Sequence, residues 1–259
     1  MKIGDLTVDA LYDGVGKFNA DRFRGTTDGM WAQHQQFLDA DGKVELALGG
    51  FLIRGIRDRL VLVDTGMGAP RGAFADAGHL LESMAAIGVR PEDITDVIFT
   101  HLHFDHVGWA SRNGEIVFAN ATYRCDIRDL EHFMGKHEEV TEILTPVVER
   151  FETWNSAGPI LPGVDAMVAP GHTPGSTIMV LFSGTARGLL LGDVVHCPVE
   201  LEEDEWGGLG DVDPELAQRT KTALIKELEG TDIPAAAAHF PGLQFGRLLS
   251  ANGKRYWTL

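Results

Sequence analysis

Acidic residues outnumber basic ones by 38 to 22 in this 259-residue chain, and a formal charge of −16 argues against phosphate backbones, so no nucleic-acid partner is expected. No apolar run approaches the ~18–20 residues of a membrane-spanning helix, and MKIGDLTVDALYDG lacks the basic-then-apolar layout of a secretory leader; the expectation is a soluble, cytoplasmic protein that meets no membrane. Cys125 and Cys197 make no Cys-x-x-Cys pair and no disulfide framework, so both read as reduced, buried small residues.

In chain order, the first 45 residues read as an N-terminal extension, with Phe23, Met30, Trp31 and Phe37 among polar residues and glycines. Ala47 to Ile56 and Leu60 to Val63 form a hairpin turning at Arg57-Asp58-Arg59, and Asp64-Thr65-Gly66 ends its second strand. Leu80 to Ile87 has helical apolar spacing and stops at Gly88. Val97 to Thr100 is the next strand. Residues 126 to 152 alternate at helical spacing, with breaks near Gly135 and Pro146. Strands follow at Ala166 to Ala169, Ile178 to Phe182 and Leu189 to Leu191. Pro214 to Leu228 is a helix with Asp213 as N-cap, and Ala235 to Ala238 is a short buried strand. This mixture predicts an α/β (α+β) sandwich with polar punctuation at the strand ends.

The densest punctuation is FTHLHFDHVG, residues 99 to 108. His101, His103 and His106 are three of only ten histidines in the chain. Neutral imidazole is a strong ligand for zinc-like ions, and carboxylate is a good companion. His101 and His103, two apart on an extended segment, point the same way and can share one ion. Asp105 and His106 come where the chain turns and can address a second. Three later residues complete an ordered set: His172 within Pro170-Gly171-His172-Thr173-Pro174-Gly175, Asp193 after Leu189-Leu190-Leu191-Gly192, and His239 after four alanines.

The order His-x-His-x-Asp-His, then Gly-His-Thr-Pro-Gly, then a strand-ending Gly-Asp and a late histidine, resembles the metallo-β-lactamase-fold superfamily of metallohydrolases. Val63-Asp64-Thr65-Gly66 matches as well, and the likeness runs over roughly residues 45 to 240. It implies a single domain over residues 1–259 with an αββα sandwich of two mixed sheets flanked by helices. It also implies two divalent metal ions: Zn2+ by default, with Mn2+, Fe2+ or Co2+ as substitutes. His101, His103 and His172 would hold the first ion and Asp105, His106 and His239 the second. Asp193 would bridge them, and Asp64 would orient a ligand from behind. Two such ions share a hydroxide that attacks an electrophilic carbonyl or phosphoryl centre directly. No Gly-x-Ser-x-Gly elbow is present to suggest a covalent route.

HLHFDHVG and the chain length resemble the acyl-homoserine-lactone lactonases. Gly192-Asp193-Val194-Val195-His196 is closer to the methyl-parathion-hydrolase-like branch, with His196 where the lactonases commonly carry tyrosine. The resemblance therefore implies hydrolysis of a lactone or carboxylic ester, with aryl phosphotriesters as the alternative; a thioesterase or a non-catalytic scaffold fits less well. Asp105, Asp193 and His196 are the candidate catalytic residues, with His196 placed to hydrogen-bond the leaving group or a ligand. Trp109, where relatives often have glycine, either shapes the pocket or packs in the core. Trp206, Phe240 and Phe245 are candidate pocket walls. No Arg or Lys cluster is evident to grip an anion, so the expected partner is a small, uncharged, largely apolar substrate. By analogy, the N-terminal extension reaches over the cleft or forms a homodimer contact.

Overall fold

The computed structural model describes residues 1–26, 29–70, 72 and 75–259. Two sheets stack face to face, with helices on both outer faces. Among the described residues the first sheet has the order Lys2–Ile3, Leu6–Asn19, Lys43–Ile56, Arg59–Val63, Asp96–Ile98, Thr122–Asp126, Phe151–Trp154, and Ala75–Ala77 pairs with Leu6–Asn19. Its first half is antiparallel. From Arg59–Val63 onward the strands run parallel, so their carboxyl ends share one edge. The second sheet runs Gly158–Leu161, Val164–Val168, Thr177–Ser183, Ala186–Leu190, Ala235–Ala236, with only its last pair parallel.

The period-two alternation of strands assigns each side chain to a layer. Val61 and Val63 face the inter-sheet core with Phe51, Ile53 and Ile98, where they meet Val164, Met179, Leu181 and Leu190 of the second sheet. Leu62, between them, points outward with Leu52, Val97 and Tyr123, and packs on Leu80, Met84, Phe133, Val140 and Leu144 of the helices Leu80–Ala86, Ile127–Phe133 and Glu138–Leu144. Ile178 and Leu189 face the other way, against Leu224, Ile225 and Leu228 of Pro214–Leu228. The Asp213 carboxylate caps that helix by accepting from Leu216 N at 2.9 Å. The result is the αββα sandwich. No helix among the described residues is long and apolar enough to cross a membrane.

Two expectations need correction. The helical reading of 126 to 152 stops short: after the turn Thr145–Arg150 the chain is extended, and Phe151–Trp154 pairs in parallel with Thr122–Asp126. Phe151 packs on Phe99 and Tyr123, so burial on the sheet prevails over helical spacing. The first 45 residues are not an appendage. Leu6–Asn19 is built into the sheet along most of Lys43–Ile56, and its alternating burial, hidden in sequence by Gly14 and Gly16, is that of a sheet strand. Only the stretch from Ala20 to Leu38, of which residues 27 and 28 lie outside the described residues, leaves the sheet. Phe23 and Trp31 anchor it by packing on Trp206 in a small core of their own.

Asp13, a residue with no sequence signal, ties several loops to this frame. Its carboxylate is fully buried and accepts from the backbone N–H groups of Met67, Gly68, Gly78 and Leu80 and from the Trp109 indole N–H, at 2.8–3.2 Å. Five donors replace the hydration of one anion, and they come from three separate chain segments. Asp13→Ala should leave these donors unsatisfied and cost about 3–5 kcal/mol, lowering the melting temperature by about 10 °C. A shift under about 2 °C in calorimetry would show that the five bonds are not the fastening.

Candidate metal centre

The parallel strands deliver their polar ends to one edge, as open α/β sheets commonly do. Val63 leads to Asp64, Ile98 to His101 and His103, Leu190 to Asp193, and Ala236 to His239; His172 joins them from the loop between Val164–Val168 and Thr177–Ser183. His101, His106, His172, Asp193 and His239 are almost completely buried, and His103 and Asp105 are partly open to a cavity. The seven residues fall into two sets of converging ligand atoms, His101, His103, His172 and Asp193 in one, Asp105, His106 and His239 in the other.

Within the first set, His103 Nδ1 lies 3.0 Å from His101 Nε2 and 2.9 Å from His172 Nε2. Asp193 stands between the sets. Its Oδ2 is 3.5 Å from His172 Nε2 and 3.1 Å from His239 Nε2, and its Oδ1 is 3.3 Å from His106 Nε2. Asp105 Oδ2 is 3.5 Å from His239 Nε2.

The outward-facing ring nitrogens settle which lone pairs turn inward. Thr100 Oγ1 donates to Asp64 Oδ2 at 2.8 Å, so at 3.1 Å it accepts from His101 Nδ1. The Nδ1–H groups of His106, His172 and His239 donate to Asp64 Oδ2, Asp211 Oδ1 and the Ala47 carbonyl at 2.9, 3.0 and 2.8 Å. Each of these four rings therefore turns its Nε2, the nitrogen left for a metal, to the interior. Asp64 holds this place in a left-handed backbone conformation, φ 59°, and is gripped by Thr100 N at 2.8 Å.

This donor set fits divalent ions. Bonds of about 2.0–2.1 Å at angles between about 90° and 110° place ligand nitrogens about 2.9–3.4 Å apart, which matches the first set. A proton on His103 Nδ1 can serve only one of its two neighbours, whereas a cation among the three nitrogens satisfies all of them. His106 Nε2 and Asp193 Oδ1 are buried without any hydrogen-bond partner, as expected of atoms reserved for an ion.

Burial, with mutual repulsion among the rings, pushes the pKa values of His101 and His172 down and that of His103 to about 3, so this set is neutral and ready to ligate. Burial also opposes charge on His106, but the Asp193 and Asp64 carboxylates outweigh it and raise its pKa well above the imidazole range. The surrounding imidazoles overcome the burial of Asp193 and hold it ionised.

Two supports carried no motif. Asp129, fully buried, accepts from Leu102 N, Thr173 Oγ1 and Gly175 N at 3.0, 2.9 and 2.6 Å, fastening the His101–His103 segment to the His172 loop. Asp211, behind His172, is itself paired with Arg24 of the N-terminal stretch. An acid ahead of helix Pro214–Leu228 is a weak signal; a buried one inside Ile127–Phe133 gives none.

Trp109 lies in the helix-side core, bonded to Asp13, and does not line the cavity. Trp206, Phe240 and Phe245 do not line it either. They pack on Trp31, Trp257 and Phe51, at centroid distances of 4.8, 5.1 and 6.0 Å, where their large apolar area is removed from water. The wall is instead formed by Phe18, Leu46, Leu48, Met67, Phe104 and Leu209, with His196 at its edge.

Fold and centre together define a metal-dependent hydrolase. The chain belongs to the metallo-β-lactamase superfamily, whose profile matches residues 51–232. It is 29% identical over 189 residues to the N-acyl homoserine lactonase AiiA of Bacillus thuringiensis subsp. kurstaki, covering 64% of this chain and 72% of that one. It is 30% identical over 219 residues to metallo-beta-lactamase domain-containing protein 1 of Xenopus laevis, covering 83% and 78%. Among solved structures, the hydrolase AbOPH of the beta-lactamase superfamily aligns with a TM-score of 0.89 at 25% identity over 99% of this chain and 95% of that one. The dizinc quorum-quenching lactonase AidC, with a product bound, also aligns at 0.89, with 24% identity over 100% and 95%.

Acidification should strip the two sets unequally. The first needs no proton removed, whereas protons compete at His106, whose pKa is raised. On dialysis from about pH 7.5 to about pH 5.5, one equivalent of metal should leave and one remain. Loss of both together, followed by elemental analysis, would contradict this order.

Proposed function

We propose that the protein hydrolyses a small, uncharged lactone or carboxylic ester. The observation that carries this is the opening of the two converging sets, through His103, Asp105, His172, Asp193 and His239, onto an apolar cavity of 210 Å3 with no Lys or Arg among the described residues of its wall. A volume below the ~300–1,000 Å3 of drug-sized pockets suits a small substrate, and the described residues of the wall offer no cation to an anionic one. The N-acyl homoserine lactonases among the relatives support a lactone first.

His101, His103 and His172 would hold one ion, Asp105, His106 and His239 the other, with Asp193 shared. Zinc suits these imidazole and carboxylate donors, as do manganese, iron and cobalt. When bound, the ions polarise the scissile carbonyl and acidify the attacking water. The chain's own residues do the rest. Asp64, Thr100, Asp211 and the Ala47 carbonyl keep the ligand rings in their tautomers. Phe18, Leu46, Leu48, Met67, Phe104 and Leu209 exclude bulk water and cover the apolar part of the substrate. His196 directs Nε2 to within 3.3 Å of Asp193 Oδ2 at the cavity edge, where it can hydrogen-bond the departing oxygen.

A panel of lactones, carboxylic esters, phosphotriesters and thioesters tests the reading with metal-loaded protein. Turnover should be highest on lactones or esters, and turnover confined to phosphotriesters or thioesters would overturn it. Asp193→Ala should cost about 10³-fold in kcat/KM with the fold intact by circular dichroism, because one carboxylate serves both ligand sets. Near-normal turnover would remove Asp193 from its shared role. His196→Ala should cost about 10²-fold on esters with poor leaving groups and much less on activated ones.

A further inference from the structure

The chemistry above leaves Glu200 unused. It is a completely buried carboxylate one helical turn after His196, in the short helix Val199–Glu202. Its Oε1 accepts from the backbone N–H groups of His196 and Cys197 at 2.7 and 2.9 Å, which accounts for one oxygen. Its Oε2 has no hydrogen-bond partner, and neither does His196 Nδ1. The shortest separation between ring and carboxylate is 3.7 Å, from Nδ1 to Oε1. A buried carboxylate with a spare oxygen and a buried imidazole with a spare nitrogen are each costly alone, and each is the other's nearest remedy.

The surroundings leave the ring little choice. Nε2 faces Asp193 Oδ2, and the ring lies parallel to that of His239, 5.7 Å away at 3°. Gly208 covers the opposite side. A Cβ at this position would lie 2.3 Å from His196 Nδ1 and 3.2 Å from Glu200 Oε2, so only glycine lets the loop pack against the pair. The same loop carries Leu209 and Gly210 of the cavity wall.

We propose that Glu200 is the positioning residue of His196: its buried carboxylate, 3.7 Å from Nδ1, is the nearest acceptor for the Nδ1–H and, with Gly208 packed against the pair, holds Nε2 toward Asp193 and the substrate cavity. This rests on the role given to His196 above. It assigns a function to a carboxylate that touches neither a ligand residue's side chain nor the cavity.

The alternative is that Glu200 only anchors the start of its helix, and Glu200→Gln separates the two. The Gln carbonyl oxygen still accepts the two backbone N–H groups, while the amide cannot replace the anion beside Nδ1. Gly208→Ala is the complementary variant, displacing the ring with Glu200 unchanged. Both are assayed with His196→Ala on a series of esters of rising leaving-group pKa, with metal content and melting temperature recorded. Glu200→Gln and Gly208→Ala should each reproduce the steeper leaving-group dependence of His196→Ala, losing about 10-fold in kcat on the poorest leaving group and little on the best, with metal content unchanged. Proton NMR of the wild type should show a hydrogen-bonded His196 Nδ1–H resonance that vanishes in Glu200→Gln and His196→Ala. A wild-type leaving-group dependence and a persisting resonance in Glu200→Gln would overturn the proposal. If His196→Ala itself left the leaving-group series unchanged, the catalytic role of His196 would fall; the resonance would still decide whether Glu200 holds the ring.

Discussion

Three imidazole nitrogens converge to about 3 Å from one another in a buried site, where a single proton cannot satisfy them all and a cation can, and this constraint organises the whole protein. The sheets supply rigidity, since strands paired on both sides cannot drift apart to separate these nitrogens. The carboxyl ends of the parallel strands supply the place, and five histidines and two aspartates supply the donors. The loops then have to satisfy the outward-facing ring nitrogens of His101, His106, His172 and His239. They do so with a hydroxyl, two carboxylates and one carbonyl, each of which fixes a tautomer.

The acidic composition looks different against this background. A net charge of −16 reads as a property of the surface, yet several aspartates are fully or almost fully buried and bind backbone amides or histidines. Asp13 gathers the loops after Val63 and before Leu80 together with Trp109, three residues beyond His106. Asp129 ties the two segments that carry the first ligand set. Asp64 and Asp211 stand behind individual rings. Asp13 and Asp129 are stabilised by converging N–H and O–H dipoles and not by cations, whereas Asp211 also pairs with Arg24.

The loop from Trp206 to Val212 joins the N-terminal stretch, the cavity and the metal-ligand candidates. Trp206 rests on Trp31, Gly207 exchanges backbone hydrogen bonds with Arg24, Gly208 meets His196, Leu209 and Gly210 face the cavity, and Asp211 supports His172. The N-terminal stretch therefore reaches the centre through this loop, and among its described residues Gly16 and Phe18 line the cavity directly. Aromatic residues that a sequence suggests for a pocket here serve as anchors, because an indole or phenyl ring stabilises more by complete burial than by lining a cleft.

The chain by itself determined the layered α/β character and singled out the seven side chains that the fold gathers into two converging sets. Strand periodicity, the Asp213 cap and the His-x-His-x-Asp-His spacing are local features that chemistry makes legible at short range. The strand Phe151–Trp154 and the sheet role of Leu6–Asn19 escaped, because helical spacing and scattered glycines conceal extended segments whose partners lie elsewhere. Tertiary structure alone decided which nitrogen of each ring turns inward and that Trp109 lies outside the cavity. It also decided that Asp13, Asp129, Asp211 and Glu200 are buried supports and not surface acids. Each of these depends on contacts between residues tens to well over a hundred positions apart or on burial, and an aspartate in a sequence carries no mark of the amides that will surround it.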